Sequence, residues 1–177
     1  MEVALFVIYR ILTALPVLRW PLAGAFIAII GDLCDLFLLN LVHLGTVNNY
    51  QQLDKYMDLA YMGTFLIVAL RWRQPEKGIA IGLFGFRMIG FALFEAVDAR
   101  YLLMAFPNVF EFWFVGVAAT HHFRPRFSFT PRWIAAFLAV TTAGKLFQEY
   151  TLHVGRWFDS FTIIDATKNL WHWLTPF

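Results

Sequence analysis

The stretch GIAIGLFGFRMIGFALFEAV, residues 78–97, decides the fold class. Apart from Arg87 at its centre and Glu95 near its end it is apolar. As an α-helix rising ~1.5 Å per residue, twenty residues reach roughly 30 Å, the thickness of a bilayer's hydrocarbon core. Five more stretches resemble it: Val3–Leu18, shorter and interrupted by Arg10; Pro21–Leu44; Leu53–Trp72; the segment from Pro107-Asn108 to His122; and Trp133–His153. Trp157–Phe177 mixes Trp, Phe and Ile with Asp159, Asp165 and Lys168, which reads as an amphipathic helix lying at an interface.

Composition agrees with this pattern. Of the 177 residues 60% are hydrophobic and only 15% charged, more apolar surface than a water-soluble chain of this size can hide. The expected fold is therefore all-α: one transmembrane helical bundle over residues 1–177, with about six spans plus the C-terminal amphipathic helix. Five spans remain if residues 3–18 lie on the surface. A net charge of +2 leaves no footprint for nucleic acid, so the expected partner is the lipid bilayer. The single cysteine, Cys34, allows no internal disulfide. No basic n-region or small-residue cleavage site follows Met1, so no cleaved signal peptide is expected.

The loops are short and marked by Asn48-Asn49, Gln74-Pro75, Pro107-Asn108 and Arg124-Pro125. Arg19, the Arg71/Arg73/Lys77 group and the Arg124/Arg126/Arg132 group fall on one side if every stretch crosses, and Trp20, Trp72 and Trp133 each adjoin one of these arginines. Positive charge assigns that side to the cytoplasm, and the tryptophans, which favour the headgroup level, mark the same interface independently of charge. Short loops and basic-inside bias point to a multi-pass protein of a bacterial plasma membrane. Gly78 and Gly82 form a GxxxG pair continued by Gly85 and Gly90, and Ala135, Ala139 and Ala143 repeat every fourth residue, surfaces on which helices pack closely or a homo-oligomer forms.

Ionisable side chains at membrane depth cost roughly 2.5–3.5 kcal/mol each on insertion scales. Asp32 and Asp35 share a helical stripe with Leu39 and His43, and Asp54 and Asp58 are neighbours one turn apart. A hairpin at Gly45–Gln52 puts Asp35 and Asp58 both roughly 15 Å below the turn. Four carboxylates in one cleft must be protonated, paired or metal-bound, since bare anions cannot coexist in low dielectric. Arg87, Lys145, Glu149 and Glu95 are the candidate counter-charges and partners. Arg87 with one carboxylate, and Lys145 with Glu149, read equally well as packing pairs.

The order Asp32-x2-Asp35 followed by Asp54-x3-Asp58 resembles the metal site of the CDP-alcohol phosphotransferases. The resemblance covers residues 32–58. Leu36 replaces the family's glycine, Leu39-Asn40 its Ala-Arg pair, and the pairs are one residue further apart. It implies that these four aspartates hold Mg²⁺ or Mn²⁺ and activate a CDP-linked lipid precursor. No phosphate loop, HExxH, cysteine pair or Gly-x-Ser-x-Gly elbow is present, and no pair is specified among the five histidines for haem. Three functions follow as expectations: proton or cation binding and translocation through a carboxylate-lined interior, with Asp32, Asp35 and Asp58 as binding or relay groups; metal-dependent lipid phosphotransfer by the same aspartates; or a non-catalytic subunit of a membrane complex.

Overall fold

The computed structural model describes residues 2–34, 50–97 and 105–150. Among these the chain is a helical bundle with no strand. Helix α1 spans Glu2–Ala14 and runs into a 3₁₀ turn at Leu15–Leu18; α2 spans Pro21–Leu33, α3 Tyr50–Ala69, α4 Glu76–Val97, α5 Val109–Phe123 and α6 Pro131–Glu149. The starts follow local chemistry. Pro21 and Pro131 occupy the first helical turn, where a missing N–H costs nothing. Gln74 Oε1 accepts the amide of Gly78 at 3.2 Å at the start of α4. The turns expected at Gln74-Pro75, Pro107-Asn108 and Arg124-Pro125 are observed; Asn48-Asn49 and Trp157–Phe177 lie outside the described residues.

Glycines set the closest contacts. A Cβ on Gly24 would fall 2.3 Å from Val17 N, so the backbone of α2 lies directly on the 3₁₀ turn. Further along the hairpin, a Cβ on Gly31 would meet the Thr13 side chain at 2.9 Å, and Tyr9 Oη donates to Gly31 O at 3.4 Å. These contacts draw α1 against α2 along its length. The remaining core is aromatic: Phe65 and Phe114 stack at 4.3 Å, Trp72 and Phe114 at 5.1 Å, and Trp113 stands edge-on to Phe137 at 5.5 Å.

The three basic segments gather at one end. Arg71 Nη1 donates to Leu18 O at 3.2 Å, Trp72 lies edge-on to His121 at 5.6 Å, and His121 Nε2 is 3.8 Å from Glu76 Oε1. The turns after α1, α3 and α5 therefore share an end.

Outside the core, the bundle's surface is apolar. Leu5, Ile8 and Leu12 of α1, Phe26, Ile30 and Leu33 of α2, Ile89 of α4 and Val140 of α6 are all exposed. Of the six spans expected, α4 is the one helix among the described residues that is long and apolar enough to cross a membrane, and only 17% of its apolar window is buried. The core helix of a water-soluble protein would show the reverse. Meanwhile Arg10, Glu76, Asn108, Glu111, Thr141 and Lys145 are buried.

Candidate functional site

The site is assembled around a residue read from the sequence only as an interruption. Arg10, on α1, is 4% exposed. Its Nη1 lies 2.5 Å from Asp32 Oδ1 on α2, and its Nη2 lies 2.5 Å from Asp58 Oδ1 on α3. A guanidinium presents several donors in a fixed plane, so it can bridge carboxylates from two helices at once, as a single ammonium could not do with the same geometry. Both aspartate side chains keep 35% exposure while the arginine's keeps 3%. The pair of acids thus forms the accessible edge of the cluster and the guanidinium its floor.

On its inner side the Arg10 guanidinium lies over the Tyr61 ring, 5.7 Å from the centroid. Tyr61 is one turn beyond Asp58 on the same face of α3. Its hydroxyl donates to Glu111 Oε2 at 3.0 Å, and Asn108 Nδ2 donates to the same oxygen at 3.1 Å. Both Asn108 and Glu111 are buried. The chain Asp32–Arg10–Asp58, Tyr61, Glu111, Asn108 therefore crosses four elements as one polar cluster. Two of its carboxylates, Asp32 and Asp58, meet the guanidinium, and the third, Glu111, is reached through Tyr61.

The depths agree. Asp32 lies eleven residues beyond Pro21, Asp58 eleven before Ala69 and Glu111 twelve before Phe123. Measured from the basic end, each is therefore at roughly 16–18 Å along its helix. The aromatic column of Trp72, Phe114 and Phe65 fills the space between the cluster and that end.

Asn108 adds a chemical option. Its Oδ1 is buried with no donor, while its Nδ2 serves Glu111. Turning the amide by half a revolution would present Oδ1 instead of Nδ2. An ionised Glu111 needs a donor and a protonated one needs an acceptor. Asn108 can serve either state without moving its backbone.

The loop carrying Asn108 is held by α4. Arg87 Nη1 donates to Phe106 O at 2.8 Å, and a Cβ on Gly90 would fall 2.2 Å from Phe106 Cβ. Arg87, expected as a counter-charge, is thus placed at the carbonyl two residues before Asn108. Lys145 Nζ donates to Gln148 Oε1 at 2.8 Å and lies 5.9 Å from the Phe112 ring centroid. Glu95 is exposed on the last turns of α4. Asp35 lies outside the described residues; Asp54 and Glu149 lie on α3 and α6, and their side chains are outside the described ones.

Of the four aspartates expected to share a cleft, Asp32 and Asp58 are seen together, joined by Arg10. The partners absent from the sequence candidates are Arg10, Tyr61, Asn108 and Glu111. The available signal was a lone arginine in an apolar helix, which needs a buried acid somewhere in the fold. Among the described residues no three His, Cys, Asp or Glu side chains are arranged to hold a metal ion.

No protein-family model matches the chain, and no curated protein or solved structure is significantly similar to it.

Proposed function

We propose that this chain is a multi-pass integral membrane protein that binds protons at the Arg10–Asp32–Asp58–Tyr61–Glu111–Asn108 cluster and relays them across the bundle. The membrane reading rests on the contrast between an apolar exterior and a charged interior. Large apolar side chains face outward on α1, α2, α4 and α6, while Arg10, Glu111 and Lys145 are buried. Lipid can cover such an exterior, and α4 has the length to span it. Read this way, the basic end lies at the cytoplasmic headgroups and the cluster lies near mid-depth.

One observation carries the proton reading: three carboxylates, Asp32 and Asp58 paired with Arg10 and the buried Glu111 held by Tyr61 and Asn108, belong to one polar cluster that contains a single guanidinium. In low dielectric the excess negative charge is relieved by a proton or a small cation. Tyr61 Oη can accept a proton as it donates one, and Asn108 accommodates both states of Glu111. The Arg10 guanidinium also occupies the place between Asp32 and Asp58 that a divalent ion would take, which favours protons over the phosphotransferase chemistry.

The test is infrared difference spectroscopy on the protein in lipid, titrated across neutral pH. A protonated carboxyl gives a carbonyl band that a carboxylate lacks. The reading requires such a band, displaced or lost in Glu111→Gln or Asp58→Asn. If no carboxyl band titrates, the cluster is a packing device.

A second reading, a subunit of a larger membrane complex or a homo-oligomer, is favoured by Gly82 and Gly85, where an added Cβ would meet open space. These small residues face outward, free to take a partner helix. Native gel migration of the mildly solubilised chain, with and without Gly82→Leu, tests it.

A further inference from the structure

We propose that the groove between the C-terminal end of α5 and the N-terminal end of α6 is a binding site for an anionic phospholipid. This rests on the membrane reading above. The groove has a volume of about 330 Å³, with Thr120, Phe123, Phe127, Trp133 and Phe137 in its walls and Arg124 at its edge. On the other side of Trp133 a second hollow of about 780 Å³ is formed by Thr130, Pro131, Arg132 and Ala136. Trp133 is the shared wall, and both it and Phe123 are well exposed.

Three observations specify the occupant. The first is charge: residues 112–148 contain no Asp or Glu, while Arg124, Arg126 and Arg132 are all exposed. Among the described residues no side-chain hydrogen bond or ion pair engages these arginines. Glu76, the carboxylate at this end, is buried and turned toward His121. The patch is therefore complementary to an anion, with no partner among the described residues to neutralise it.

The second is the wall chemistry. Phe127, Phe129 and Trp133 form edge-on pairs at 5.1 and 5.7 Å, leaving a rigid aromatic surface beside the arginines. A free phosphate has no use for such a surface, whereas an acyl chain does. The third is level. Tryptophan and arginine side by side at the end of a spanning helix mark the headgroup region, where a phospholipid presents phosphate and chain together. The phosphate would sit at Arg124 on the groove's edge, with Arg132 adding positive charge from the other side of Trp133, and the first part of one chain would lie along Phe127, Trp133 and Phe137.

Native mass spectrometry of the full chain in detergent tests this, with equimolar phosphatidylglycerol and phosphatidylcholine of identical chains. Phosphatidylglycerol should be retained preferentially. Arg124→Gln and Arg132→Gln should each lower that preference about fivefold. Phe137→Ala should weaken both lipids and leave the preference intact. Equal retention of the two lipids, or a preference that survives the double arginine variant, overturns the site. Competition by glycerol 3-phosphate as effective as by phosphatidylglycerol would show a phosphate site with no role for the chain. Alkaline carbonate extraction of cell membranes separates the two ideas. A chain released by carbonate removes the membrane reading and this site with it, while a retained chain showing no lipid preference removes the site alone.

Discussion

Arg10 and Asp58 stand 48 residues apart in the chain and 2.5 Å apart in the bundle. The same guanidinium holds Asp32, so one side chain ties α1 to both α2 and α3. Removing Arg10 leaves Asp32 and Asp58 unpaired, and because both are 35% exposed water screens part of the charge, so the cost should be about 1–3 kcal/mol, below that of a fully buried pair. Arg10→Met should lower thermal stability in detergent by that order. Adding Asp32→Asn and Asp58→Asn to Arg10→Met should recover most of the loss. Arg10→Lys should fall between, because one ammonium cannot present the planar fork that reaches both acids.

Glycines on α4 make a paired prediction. At Gly90 a Cβ would fall 2.2 Å from Phe106 Cβ, whereas at Gly82 it would meet nothing. Gly90→Ala should destabilise by about 1–3 kcal/mol through overpacking. It should also disturb Asn108, two residues beyond Phe106. Gly82→Ala should be neutral or stabilising by about 0.5–1 kcal/mol, since alanine favours the helix. Melting curves of the two variants side by side check this.

The position of α4 was legible in the sequence; the end of α2, expected at Leu44 and found at Leu33, and the site's partners were not. Hydropathy and turn residues placed the helix now seen at Glu76–Val97 to within two residues, because length and apolar content are local properties. The acids Asp32 and Asp58 stood out because a carboxylate in an apolar helix is costly wherever it lies. Arg10 was equally visible as a residue, but its partner depends on how α1 packs. That packing is set by Gly24 and Gly31, whose close contacts with the 3₁₀ turn and Thr13 are tertiary facts. Arg87 shows the converse. It looked like the natural counter-charge by depth, yet its position on α4 delivers it to Phe106 O.

Removing one donor to Glu111 should be felt both in stability and in chemistry. Tyr61→Phe keeps the ring that lies under Arg10 and deletes only the hydroxyl 3.0 Å from Glu111. The expected cost is about 1–3 kcal/mol, for a buried carboxylate left short of a hydrogen bond. Tyr61→Phe should also slow proton exchange at the cluster. Isothermal denaturation and the rate of the infrared carbonyl response report the two effects separately.

The proposed orientation makes a labelling prediction. On a Cys34→Ser background, Ser128→Cys lies in the exposed turn at the basic end, and Ala105→Cys lies exposed before α5 at the other. A membrane-impermeant maleimide should label Cys at 105 in intact cells and Cys at 128 only in inverted vesicles. Labelling of both from the same side would mean that α5 does not cross.

The most direct measurement is proton flux into liposomes that hold the purified chain and a trapped pH dye, driven by a potassium diffusion potential. A proton relay predicts a flux that Asp58→Asn and Glu111→Gln abolish, that Glu95→Gln on the exposed face of α4 leaves unchanged, and that external Na⁺ or K⁺ does not replace. No flux, or a flux that persists in both cluster variants, would contradict a proton relay through Arg10, Asp58 and Glu111.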